Sequence, residues 1–175
     1  MSKTIINALL LLVLLVPAQA VIFNNLALFG VALPLVFIYV LISLPVTLGA
    51  NWAMTIGFMS GLAVDVFSDT PGLNALSCTV LAFVRRPVLH LYVPQDEELG
   101  PASLGLQSLG QENYLKYMIT MVLIYCTLVF TIETFELFNP RLWLLRIVCS
   151  SLYTFVFVYA FASLASRSSR REKRL

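Results

Sequence analysis

Gly57-Phe58-Met59-Ser60-Gly61-Leu62-Ala63-Val64-Asp65 puts a carboxylate on the same helical stripe as two glycines, inside an apolar run. Residues four apart share one helix face, so Ala53, Gly57, Gly61 and Asp65 form a ridge of small side chains ending in an acid. That spacing lets a second backbone come close. An acid within a membrane span is costly and rare, which makes it a functional candidate by default.

The rest of the composition agrees with a membrane setting. Hydrophobic residues make up 59% of the 175 and charged residues 11%, with a mean hydropathy of +0.89; globular domains carry roughly a quarter charged residues. No charged residue lies between Lys3 and Asp65, an interval that holds about three helices of about 20 residues. Cys78, Cys126 and Cys149 sit in apolar runs, and an odd number of cysteines argues against a disulfide framework. The single histidine, His90, has no second ligand at metal-binding spacing, so neither a metal site nor a cofactor is expected. Nothing suggests nucleic-acid binding.

Six spans follow from the pattern, at about 4–23, 28–44, 52–67, 73–92, 114–135 and 142–164. They form one all-α, polytopic transmembrane domain over 1–166, followed by a basic tail over 167–175. Lys3, an apolar stretch and Ala18-Gln19-Ala20 also resemble a cleavable leader, but the apolar run continues past Ala20, and an uncleaved first helix is expected. Asn24-Asn25, Pro45 with Gly49, and Ser68-Asp69-Thr70-Pro71-Gly72 mark turns. The fourth span meets Arg85-Arg86-Pro87 early. Either these arginines snorkel to the interface while the helix continues to Tyr92, or the Pro71-Gly72 turn lies below the membrane surface beside protein or water. Residues 94–111 read as a soluble acidic loop on the cytoplasmic side.

Basic residues are retained on the cytoplasmic side. With both termini inside, Lys3, Arg85, Arg86, Lys116 and the tail residues Arg167, Arg170, Arg171, Lys173 and Arg174 are cytoplasmic, against Arg141 and Arg146 outside. Nine against two fixes the expected orientation. The tail is also placed to bind anionic lipid, at about 1 kcal/mol per basic residue. Trp52, Trp143, Tyr92 and Tyr114 fall near span ends, as an interfacial belt requires.

Asp65 has two readings: an interfacial residue at a helix end, or an intramembrane acid paired with a cation, for which Arg146 is the first candidate, with Glu133 and Glu136 near the same level as competing partners. Catalytic signatures are lacking in the sequence. There is no Gly-x-Ser-Gly with a later histidine base, no Walker loop, no HExxH and no Gly-x-Ser-x-Gly elbow. A lipid-modifying metal site would rest on Asp65 and Asp69 alone.

Gly57-Phe58-x-x-Gly61-Leu62-x-x-Asp65, followed by Pro71-Gly72-Leu73 and Ala75-Leu76, resembles the central signature of the MreD family of bacterial rod shape-determining membrane proteins. The likeness is specific over about Gly57 to Leu76. Gln19 near the end of the first span, the six spans and the basic end are similar at the level of pattern. Departures are Asn74, where a histidine is often seen, and the acidic loop. The resemblance implies a non-enzymatic, multi-pass inner-membrane adaptor that binds the scaffold MreC. Through MreC it would connect MreB to a SEDS glycosyltransferase and a penicillin-binding transpeptidase, organising peptidoglycan synthesis during elongation. The family is also similar in fold to substrate-binding subunits of energy-coupling-factor transporters, so a small-molecule-binding transport subunit is the alternative. The expected mechanism is packing: the Gly57/Gly61 face accepts a helix from MreC or from a second copy of the chain, and Asp65 sets its register.

Overall fold

Helix α3 (Ala50–Ser68) turns its small residues inward: Ala53, Gly57, Ser60, Gly61, Val64 and Asp65 are buried, at the spacing of a single helix face. A four-residue turn, 69–72, reverses the chain into α4 (Leu73–Tyr92). Asp69 ends α3 in the left-handed conformation (φ 58°), and Gly72 follows at φ 80°. The Pro71-Gly72 turn expected from sequence is therefore in place, with glycine where φ is positive.

The computed structural model describes residues 10–12, 14–19, 21, 33–92, 110–133 and 140–172, with side chains in the last helix as far as Ala165. Among these residues there is no strand. The N-terminal helix α1 covers residues 10–18, apart from 13, and buries Leu15 and Val16. A 3-10 turn (Val36–Ile38) runs into the short helix α2 (Tyr39–Ser43). Two long helices complete the chain, α5 (Gln111–Glu133) and α6 (Pro140–Glu172). α3 packs on α4, α4 on α5 and α5 on α6, while α2 touches α3, α4 and α6.

α2 is the centre of the bundle. Every residue from Val36 to Ser43 is buried, and a helix that is apolar all round belongs in an interior. Its helical length is about 12 Å, so within the expected span over 28–44 the described residues are not one continuous helix: the backbone is non-helical at 33–35 and helical from Val36 to Ser43. Prolines explain the short helical length. Pro34 lacks an N–H and drives Leu33 away from helical angles, and Pro45 does the same to Leu44, which sits at φ −55°, ψ 144°.

α5 and α6, the latter over Pro140–Ala165, are long and apolar enough to cross a membrane. The surface agrees with that solvent. Phe58, Met59, Leu62 and Val66 of α3, Phe83 and Leu91 of α4, and Leu145, Val148, Leu152 and Val156 of α6 are exposed. Gln19, Ser60, Asp65, Asn74, Ser77, Arg85, Ser150 and Thr154 are buried. A water-soluble fold distributes these classes the other way.

Several expectations shift in detail. α4 continues through Pro87 to Tyr92, yet Arg85 does not snorkel; it is 3% exposed. Tyr114 is buried rather than part of an interfacial belt, whereas Trp52 is exposed. α6 remains helical to Glu172, so Arg167, Arg170 and Arg171 extend a helix. Lys173, Arg174, most of loop 94–111, and residues 4–9 and 22–32 of the first two expected spans lie outside the described residues.

Candidate functional site

The ridge read from sequence lies against α4 of the same chain. A Cβ on Gly61 would press on the Asn74 carbonyl oxygen and lie 2.6 Å from the Cα and N of Ala75. A Cβ on Gly57 would lie 2.8 Å from the Cys78 carbonyl oxygen and 3.2 Å from the Ala82 Cβ. Both positions require glycine because backbone meets backbone there. The face expected to receive a helix from MreC or from a second copy is thus occupied from within.

Asp65 stands at the end of that ridge and is 4% exposed. Its Oδ1 accepts from Thr70 Oγ1 (2.8 Å), Asn74 N (2.9 Å) and Asn74 Nδ2 (2.9 Å), and its Oδ2 accepts from Ala75 N (2.8 Å). All four partners donate, which suits an acceptor-only carboxylate. Two of them are backbone N–H groups in the first turn of α4, groups that no intrahelical carbonyl can satisfy. Asp65 therefore caps α4 from another helix, at the terminus where the helix dipole favours an anion. The Asp65 backbone oxygen also receives Thr70 N (3.2 Å) and the N–H of Asp69. One residue closes the turn through both its main chain and its side chain.

The network continues across the bundle. Asn74 Oδ1 accepts from Tyr125 Oη of α5 at 2.7 Å, and the Tyr125 ring meets Phe37 edge-on at 5.8 Å. Tyr125 also interacts with the buried thiol of Cys78. α3, α4, α5 and the turn before α2 are linked through this chain of contacts.

The proposed partner of Asp65 lies elsewhere. Arg146 Nη1 is 3.4 Å from Glu133 Oε1, with both side chains about two-fifths exposed (38% and 42%). The bridge joins the end of α5 to the start of α6. Asp65 gains its stabilisation from hydrogen bonds rather than from a cation, which corrects the Asp65–Arg146 pairing. The sequence cannot see this, because an N–H group in a helix's first turn is a donor whatever its residue type.

A second polar centre was missed in the sequence except for the presence of Gln19. The backbone at 33–36 is not helical on its N-terminal side, and other helices supply its partners. Gln19 Nε2 donates to the Pro34 oxygen (2.8 Å), and Gln19 Oε1 accepts from Val36 N (2.8 Å). Ser150 Oγ accepts from Leu33 N (3.2 Å), and Thr154 Oγ1 accepts from Leu35 N (3.0 Å). Irregular backbone at membrane depth persists only where protein satisfies it in this way. The available signals were Pro34 inside an apolar run and three isolated polar residues on helices expected to be greasy.

Among the described residues no cluster of three or more His, Cys, Asp or Glu could hold a metal ion. Cys78 and Cys126 are buried free thiols, and Cys149 is exposed. The arrangement can fix helices in register and hold a broken helix inside a bundle. The chain matches no protein-family model, no curated protein and no solved structure.

Proposed function

We propose that this chain is a non-enzymatic membrane adaptor of the MreD type, acting in the bacterial inner membrane through about six spans with both termini cytoplasmic. Its partner in this reading is the bitopic scaffold MreC, and through MreC it serves MreB and the peptidoglycan-synthesising pair. The observation that carries the reading is the fate of the signature residues. Gly57, Gly61, Asp65, Pro71 and Gly72, which support the resemblance, are all used in building one helical hairpin. They present no reactive group.

A residue set devoted to a rigid hairpin leaves the outer face of that hairpin to act. Phe58, Leu62 and Val66 lie there in an exposed apolar row four residues apart, the spacing at which a single-span helix packs. MreC would lie along this row rather than along the glycines.

The test is co-expression with MreC, solubilisation in mild detergent, and photo-crosslinking from a benzoylphenylalanine placed singly at Phe58, Leu62, Val66, Leu152 or Val156. Crosslinks to MreC from the three α3 positions, with none from the two α6 positions, support the adaptor reading and its α3 face. Failure of the wild-type chain to co-purify with MreC refutes the reading.

A further inference from the structure

We propose that Arg85, Tyr114 and Tyr117 form a buried receptor for one phosphate group, carried by a membrane lipid or free in solution. Arg85 is 3% exposed, and both tyrosines are fully buried. Their polar atoms are incompletely used. Arg85 Nη2 donates to the Leu44 carbonyl oxygen, while Arg85 Nε, Tyr114 Oη and Tyr117 Oη have no hydrogen-bond partner. Tyr117 also meets Arg85 in a loose side-chain hydrogen-bonding contact, and Tyr114, one turn earlier on α5, interacts with Tyr39 and Tyr117. Arg85 Nε on α4 and the hydroxyls of Tyr114 and Tyr117 on the adjoining α5 are therefore buried donors without a well-formed acceptor.

Their charge is also unanswered. Both ion pairs among the described residues are elsewhere, Lys116–Glu112 and Arg146–Glu133, so no described carboxylate meets the buried guanidinium. An arginine out of water without an anion is strongly disfavoured, and one carbonyl oxygen meets little of a five-donor group. The missing partner must be rich in acceptors and negatively charged. A phosphate satisfies both conditions. It takes a bidentate contact from the guanidinium fork and leaves further oxygens for two phenols.

The position favours a headgroup at the membrane surface. Arg85 is twelve residues beyond the start of α4, about 18 Å along the axis from the Asp65 cap, toward the opposite face of a hydrocarbon core about 30 Å thick. Arg86 is exposed beside it and donates to the Leu48 carbonyl oxygen at 3.0 Å. Lys116 is exposed on α5 at the same end. The connector 44–49 covers Arg85 and is held there by the two guanidinium groups. The phosphate enters past this connector and takes over the Leu44 carbonyl's contact.

Replacing each phenol with phenylalanine keeps the rings and deletes the two hydroxyls. The test compares thermal unfolding of the purified full chain and of Y114F/Y117F in dodecylmaltoside, with no addition, with inorganic phosphate against chloride at equal ionic strength, and with phosphatidylglycerol in the micelles. For the wild type a rise of about 3–5 °C is expected with phosphatidylglycerol, with phosphate, or with both; the arm that responds identifies the source. The rise is expected to fall by more than half in Y114F/Y117F, whose basic C-terminal segment is unchanged. Three results overturn the proposal: no rise in the wild type, as when water alone fills the site; an equal rise in the double variant, which assigns the effect to the protein surface; or retention of more than half the rise. R85Q should lose the response as well, and the tyrosine variants decide the matter if R85Q does not fold.

Discussion

Replacing Asp65 with alanine is the most direct test of the hairpin. The change deletes an acceptor set that serves Thr70 Oγ1, Asn74 Nδ2 and the backbone N–H groups of Asn74 and Ala75 at 2.8–2.9 Å. Two scales bound the cost. Side-chain hydrogen bonds between membrane helices average about 0.6 kcal/mol each, which for four bonds gives roughly 2.4 kcal/mol. A buried donor left without any acceptor costs about 1–3 kcal/mol, and the two backbone donors cannot turn to find another. Asn74 Nδ2 has a fallback in Thr70 Oγ1 at 3.3 Å, so the four losses do not simply add. An overall destabilisation of about 2–4 kcal/mol is expected.

Asp65→Asn refines the reasoning. The amide keeps one acceptor oxygen but turns an NH2 toward one of the donors now on Oδ1 or Oδ2, so it loses at least one bond and creates a donor facing a donor. About half the cost of the alanine change is expected, roughly 1–2 kcal/mol. The assay is reversible unfolding from mild detergent into sodium dodecyl sulfate, followed by the fluorescence of Trp52 and Trp143, with helicity read in parallel. A loss below about 1 kcal/mol for Asp65→Ala, or an Asp65→Asn at least as damaging as the alanine, would refute the capping account.

Other substitutions separate the remaining contacts. Gly61→Ala should destabilise by about 1–3 kcal/mol through overpacking and exceed Gly57→Ala, because its new methyl meets backbone on two residues while that of Gly57 meets one carbonyl and a methyl; the same unfolding assay ranks them, and Gly49→Ala, with nothing within 4 Å, serves as the neutral control. Gln19→Leu strips partners from Pro34 O and Val36 N and should cost about 2 kcal/mol or more, seen as faster hydrogen exchange at 36–43. The double change Glu133→Gln with Arg146→Gln removes an exposed bridge and should stay within about 0.5 kcal/mol of wild type in thermal unfolding at low and high salt.

The helical face of α3 was legible in the sequence because small residues four apart and a terminal acid have one geometric consequence. The turn was legible too, since Pro71-Gly72 allows little else. The owner of that face was hidden. GxxxG spacing states that a backbone approaches and is silent on whose it is, and the short turn that brings α4 back is what decides it. The break within the second span was hidden for a related reason: hydropathy over 28–44 measures burial, and α2 is buried by protein. Pro34 and Pro45 carried the warning, one at each end. The Asp65–Arg146 pairing failed because charge is visible in a sequence whereas free backbone N–H groups are not.

The two polar centres solve the same physical problem in opposite senses. At 33–36 the backbone is broken, and Gln19, just after α1, together with side chains from α6, supplies what the helix lacks. At Asp65 the side chain would be the unsatisfied group, and the backbone of α4 supplies what it lacks. Each centre ties together elements far apart in sequence, and the Phe37–Tyr125 contact joins the two. Apolar packing alone gives little specificity against lipid, because lipid tails are as apolar as leucine. The arrangement of this bundle is therefore set by a few buried polar contacts, and its apolar exterior suits a lipid solvent.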